Sequence, residues 1–137
     1  MALTHLLDTS VLTRMREPAV RQAVEPRAQR GELARAGISD LEIGYSARDE
    51  AEWDRLALAL ETFELVETDA EHVRRARQVQ RMLARNHQRG RKLPDLLIAA
   101  AAEAHSLPVL HYDADFERIA AVTGQECEWI VPAGSVP

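Results

Sequence analysis

Five short apolar runs punctuate the chain, at residues 3–7, 34–38, 63–66, 107–112 and 128–131. Runs of that length suit buried strands better than helices. Between them the apolar residues recur at intervals of three and four. In "DEAEWDRLALALET" Trp53, Leu56, Ala57 and Leu60 fall at i, i+3, i+4 and i+7, and the opening acids suit a helix N-terminus. That face reads as core, with an apolar groove or a subunit interface as its other uses. "DAEHVRRARQVQRMLARNHQRG" opens on an aspartate able to cap, keeps Val73, Ala76, Val79 and Leu83 near one stripe, and stops at Gly90. "PDLLIAAAAEAHS" has Pro94 and Asp95 for its first turn, and its alanine run lets a helix lie close against a sheet. "LPVLHY" then leads into "DADFERIAAV". Strand and helix alternating in this order predict an α/β fold, a largely parallel sheet with helices on both faces.

Length narrows the picture. At 137 residues, with 46% hydrophobic and 28% charged residues, the chain is expected to form one domain over 1–137 around one core. No apolar stretch approaches the roughly 18 residues of a membrane span, and the N-terminus lacks a basic leader, so the cytoplasm is the expected compartment. The single Cys127 excludes an internal disulfide and a cysteine-held zinc. A net charge of −5 argues against a wholesale nucleic-acid coat, yet charge is segregated. Residues 72–94 hold Arg74, Arg75, Arg77, Arg81, Arg85, Arg89, Arg91 and Lys92 and no acid.

The acids are the candidate chemistry. Asp8 closes the first apolar run in "LLDTSVL", and Asp113 closes "PVLHY". Open parallel sheets gather ligands beyond the carboxyl ends of their strands, so these two can meet. Asp95 sits at a helix N-terminus, and Glu42, in "ISDLEIGYSA", follows a strand ending near Ile38 on a helical turn that can point it inward. Each acid taken singly also reads as a cap or a surface charge. Converging carboxylates repel by about 4 kcal/mol per pair at 4 Å and an effective dielectric of 20. A hard divalent cation, Mg²⁺ or Mn²⁺, offsets that repulsion and can activate water against a phosphodiester.

These segments resemble a known family. "LLDTSVL", "ISDLEIGYSA", "LPDLLIAAAA" and "LPVLHYDADFERIA" are similar, in order and spacing, to the four signature segments of PIN-domain ribonucleases of the VapC toxin type. The resemblance implies a PIN-like three-layer fold with a five-stranded, mostly parallel sheet, Mg²⁺ or Mn²⁺, RNA cleavage and neutralisation by a VapB-type antitoxin. Asp8, Glu42, Asp95 and Asp113 match the acidic quartet, as catalytic residues and metal ligands. Ser10 matches the hydroxyl two positions after the first acid, bonding Asp8 or a phosphate oxygen, or capping a turn that begins at Val11. His111 departs from the pattern, standing where many relatives carry Ser or Thr; it reads as a strand residue first, with a hydrogen bond to a carboxylate or metal ligation as its other readings. Asp115 reads as an accessory acid or a helix-start charge.

For RNA the basic stretch supplies the candidates Arg85, Arg89, Arg91 and Lys92, with a solvated helix face as the rival reading. Aromatics, at 4%, are too few for an extended stacking platform. The expected protein is thus a metal-dependent endoribonuclease toxin, homodimeric, leaving a 5′-phosphate. The competing readings are a catalytically weak PIN-like RNA- or protein-binding module and a DNA nuclease of the same fold. Phosphoryl transfer onto Asp8 ranks below them, because "DTS" lacks a second acid two positions on.

Overall fold

The computed structural model describes residues 2–88 and 92–137. All five apolar runs form strands: β1 (His5–Leu7), β2 (Leu33–Ala36), β3 (Glu64–Val66), β4 (Val109–His111) and β5 (Cys127–Trp129). They pair in parallel throughout, in the order β3-β2-β1-β4-β5. Seven helices connect the described strands: α1 (Thr9–Leu12), α2 (Pro18–Gln29), α3 (Gly37–Tyr45), α4 (Glu50–Leu60), α5 (Ala70–Arg85), α6 (Leu93–Ala104) and α7 (Asp115–Thr123). The run at 34–38 stops being strand at Ala36, because Gly37 and Ile38 already belong to α3.

Side chains alternate across a strand, and here the alternation builds two cores. Leu6 and Val109 face a layer made with Ala76, Val79 and Leu83 of α5, Ile98 and the Ala99–Ala102 run of α6, and Phe116 and Ile119 of α7. Leu7 and Leu110 face the opposite layer, with Val11, Val20, Val24, Phe63 and Ile130. Each such Leu or Val contributes roughly 1.5–3 kcal/mol by leaving water. Helix α6 is buried nearly all round, from Leu96 to Ala102, which the small alanines permit at close range. Gly124 takes a left-handed conformation, φ 73°, to end α7 before β5.

Two expectations about faces need correction. The stripe on α5 is His72, Ala76, Val79 and Leu83, not Val73, which is half exposed. A reciprocal cap explains the offset: Asp69 Oδ1 accepts from the His72 N–H, and His72 Nδ1 accepts from the Asp69 N–H, folding the histidine under the helix start. On α4, only Leu60 of the four-residue face is buried, and Trp53 is 51% exposed. Helix α4 packs mainly against α3, so most of its apolar face lines a groove with Gly44, Arg35 and Asp40 and only Leu60 is buried. Arg35 anchors that groove, donating to both Asp40 oxygens and to the carbonyls of Leu60 and Phe63. Among the described residues no helix is long and apolar enough to cross a membrane.

Candidate metal centre

The strand order places the site. After β3 at one edge, the chain crosses over to put β4 on the far side of β1, so connections diverge at the β1–β4 seam. A crevice opens there beyond the carboxyl ends of the strands. Asp8 follows β1 directly and is still in the ladder, its N–H donating to the Leu110 carbonyl at 2.9 Å. Asp113 follows β4 by two residues. Asp95 comes from the first turn of α6, the alanine-rich helix that packs on both of these strands. One carboxylate oxygen from each of Asp8, Asp95 and Asp113 lies within 4.8 Å of the other two.

Burial sets the electrostatics. Asp8 is 2% exposed and Asp95 5%. Asp8 caps α1, its Oδ2 accepting from the Ser10 N–H at 3.0 Å. Its pKa is nevertheless raised: burial outweighs the hydrogen bonds from Ser10, and the Asp113 and Glu42 charges add to the rise. Asp95 is pushed up to about 8, by burial first and then by the charges of Asp8 and Asp113. Asp113 behaves oppositely. Burial pushes it up, but the Asp115 N–H on Oδ1 at 2.9 Å and the Lys92 ammonium on Oδ2 at 2.9 Å hold it below the ordinary carboxylate range. Asp8 Oδ1 and Asp95 Oδ2 are buried without a hydrogen-bond partner among the described residues. Buried acceptors are rarely left unpaired. Two orphaned, mutually repelling carboxylate oxygens beside a third acid are a donor set for a hard cation with oxygen preference.

Glu42 sits at the edge of this cluster, outside the three-carboxylate group. It belongs to the middle of α3, where Thr9 Oγ1 donates to its Oε1 at 2.6 Å. The threonine has one proton, so the 2.8 Å contact between Thr9 and Ser39 must run from the buried Ser39 hydroxyl to Thr9. A relay Ser39–Thr9–Glu42 therefore orients the fourth acid. Sequence reasoning passed over Thr9 and Ser39, although Ser39 stands three residues before Glu42 on one helix face.

Ser10 is not a cap, because Asp8 caps α1 instead. The Ser10 hydroxyl accepts from the Tyr112 N–H at 2.8 Å, carrying the β1–β4 ladder past the strand ends. His111 is a buried strand residue, stacked on Phe116 with ring centres 5.0 Å apart, and its Nδ1 accepts from the Asp113 N–H. Burial lowers its pKa to about 4, against the pull of the Asp113 and Glu117 charges, so it is neutral at pH 7. Asp115 starts α7, its Oδ1 accepting from Arg118 at 3.2 Å, while its backbone positions Asp113. Of the RNA candidates, Arg85 is exposed in the last turn of α5, Lys92 reaches into the acidic site, and Arg89 and Arg91 lie outside the described residues.

Comparison with known proteins bears on this geometry. A family model for the PIN domain matches residues 5–122. The chain is 65% identical over 136 residues to "Ribonuclease VapC51" of Mycobacterium tuberculosis, covering 99% of both chains. It is 46% identical over 137 residues to "Ribonuclease VapC21" of the same species, covering 98% of this chain and 99% of that one. Among solved structures, VapBC2 from Rickettsia felis bound to a promoter DNA fragment superposes with a TM-score of 0.76 at 19% identity, covering 94% of this chain and 98% of that one. At that identity the superposition speaks for the fold.

Proposed function

The chain belongs to the PIN-domain family of VapC ribonucleases, and from that premise we propose that it is an endoribonuclease toxin, dependent on Mg²⁺ or Mn²⁺ and inhibited by a VapB-type antitoxin. The single observation carrying the reading is the cluster of Asp8, Asp95 and Asp113, with two of its buried oxygens unpartnered among the described residues. Asp8 and Asp95 are the principal ligands in this reading, Asp113 completes the set, and Glu42, fixed by Thr9, holds water at the edge of the site. When bound, such a cation supplies Lewis acidity, lowers the pKa of bound water and stabilises charge on the departing oxygen.

The protein's own residues supply the rest. Asp8 is fixed by the α1 turn and by the ladder beneath it, so its Oδ1, unpartnered among the described residues, has a defined direction. Asp113 is held by the Asp115 N–H, which keeps it ionised. Neutral His111 fills the floor behind it and anchors the Asp113 backbone without adding charge. A phosphodiester can approach only when the acids are neutralised, so binding of RNA and of the cation are coupled. In-line attack by water on phosphorus, with the ribose 3′-oxygen leaving, yields a 5′-phosphate end. Among the described residues, the exposed arginines of α5 offer phosphate contacts, and they make RNA binding salt-dependent.

For the antitoxin, the exposed apolar side chains of α3 and α4, Leu41, Tyr45 and Trp53, offer a face that fits an amphipathic helix. A homodimer belongs to the same reading.

The test is cleavage of mixed structured and single-stranded RNAs by antitoxin-free protein with Mg²⁺ or Mn²⁺, beside chelator, Asp8→Asn and single-stranded DNA arms. Metal-dependent cuts with 5′-phosphates, absent in the variant, are expected. Cutting that survives chelator and variant, or that prefers DNA, would refute the assignment. So would intact RNA throughout, which would leave a binding module.

A further inference from the structure

We propose that Lys92 is a tethered counter-cation of the acidic centre, which holds Asp113 in the absence of metal and must yield it when a divalent cation binds. The inference rests on the metal-centre reading above and goes beyond it by assigning a competitor built into the chain.

The geometry carries the argument. Lys92 is the residue immediately before α6, in an extended conformation with no side-chain capping bond of its own. Its side chain, 64% exposed along its length, runs from the helix start to the acid cluster and places Nζ 2.9 Å from Asp113 Oδ2. Three residues later the same helix delivers Asp95, so one helix start brings both an acid and its neutralising cation to the crevice. The other Asp113 oxygen is already engaged by the Asp115 N–H at 2.9 Å. Asp113 therefore has both oxygens occupied, whereas among the described residues Asp8 and Asp95 each retain one without a hydrogen-bond partner. An ammonium and a divalent cation on the same carboxylate repel each other, so Asp113 can serve the metal fully only if Lys92 withdraws. The exposed stem of Lys92 allows that withdrawal without disturbing the core. By linkage, whatever factor Lys92 takes from metal affinity, the metal takes from the Lys92–Asp113 pair.

A paired but solvent-accessible lysine weakens a competing cation modestly. Lys92→Gln is therefore expected to bind Mn²⁺ about 3- to 10-fold more tightly than the unsubstituted protein. Titration calorimetry of the full chain measures this, with Mn²⁺ as the probe. Lys92→Arg, which keeps the charge, should return most of the difference. Arg74→Gln removes one charge from the exposed Arg74–Glu71 pair on α5 and should leave affinity within about twofold, separating a local competitor from net charge. Unchanged or weaker Mn²⁺ binding by Lys92→Gln, or an equal gain in Arg74→Gln, overturns the proposal while leaving the metal centre standing. Loss of RNA cleavage in Lys92→Gln with unchanged Mn²⁺ affinity would likewise overturn it, and would place Lys92 on the RNA. If no variant binds Mn²⁺, the metal centre itself fails, and the counter-cation assignment with it.

Discussion

Replacing Asp95 by asparagine should make the metal-free protein more stable while abolishing its nuclease activity. Asp95 is 5% exposed, and burial first, then the charges of Asp8 and Asp113, push its pKa up to about 8. A carboxyl with a raised folded-state pKa costs nothing below its unfolded value. Its penalty then grows with pH until the folded value is passed. At pH 7, a little over three units into that window, the penalty is on the order of 4 kcal/mol at 1.36 kcal/mol per unit. Asp8 and Asp113 share the same charge cluster, so the observable gain is on the order of 2–4 kcal/mol. For a chain of this length that is roughly 7–14 °C in Tm. His111 works with the opposite sign: its folded pKa of about 4 makes stability fall as pH drops from 6.5 toward 4. The Asp95→Asn minus unsubstituted difference cancels that contribution. The assay is urea unfolding in chelator at pH 4, 5.5, 7 and 8, repeated with Mn²⁺. The difference should be near zero at pH 4 and largest at pH 8, and Mn²⁺ should stabilise only the protein that retains Asp95. A variant less stable than the parent at pH 7 in chelator, or a pH-independent difference, would refute the reasoning.

Three further predictions follow from local geometry. Thr9→Val removes the 2.6 Å bond to Glu42 and the acceptor for Ser39, so cleavage should drop by about tenfold or more, while unfolding shows a loss of about 1–3 kcal/mol. Thr9→Ser, which keeps the hydroxyl, should recover most of the rate. Gly44→Ala places a methyl 2.6 Å from Trp53 Nε1, forcing the indole off α3; tryptophan fluorescence should shift, and antitoxin affinity should fall several-fold in a pull-down titration. Ala101→Leu overfills the fully buried face of α6 and should cost about 1–3 kcal/mol or more by urea unfolding, with a loss of cleavage as Asp95 moves with its helix.

The sequence by itself determined the strands and most of the helices, and it marked Asp8, Asp95 and Asp113 at element ends, because these depend on local pattern. Short apolar runs have few ways to be buried, and a proline and an aspartate together mark a helix start wherever they fall. Helix α2, with Pro26 inside it and its apolar residues widely spaced, gave too weak a periodicity to be read separately. Tertiary structure alone decided which face of each helix meets something. Trp53 has core periodicity, yet α4 packs mainly against α3, so the indole stays half exposed. It decided also that β4 crosses to the far side of β1. That single choice brings together Asp8 and Asp113, 105 positions apart in the chain, and α6 adds Asp95 within 4.8 Å of both. Lys92 and Thr9 were visible as letters and unreadable as partners, because a hydrogen bond between elements depends on how those elements dock. Local chemistry is written residue by residue, whereas proximity is settled only when the two cores close on the sheet.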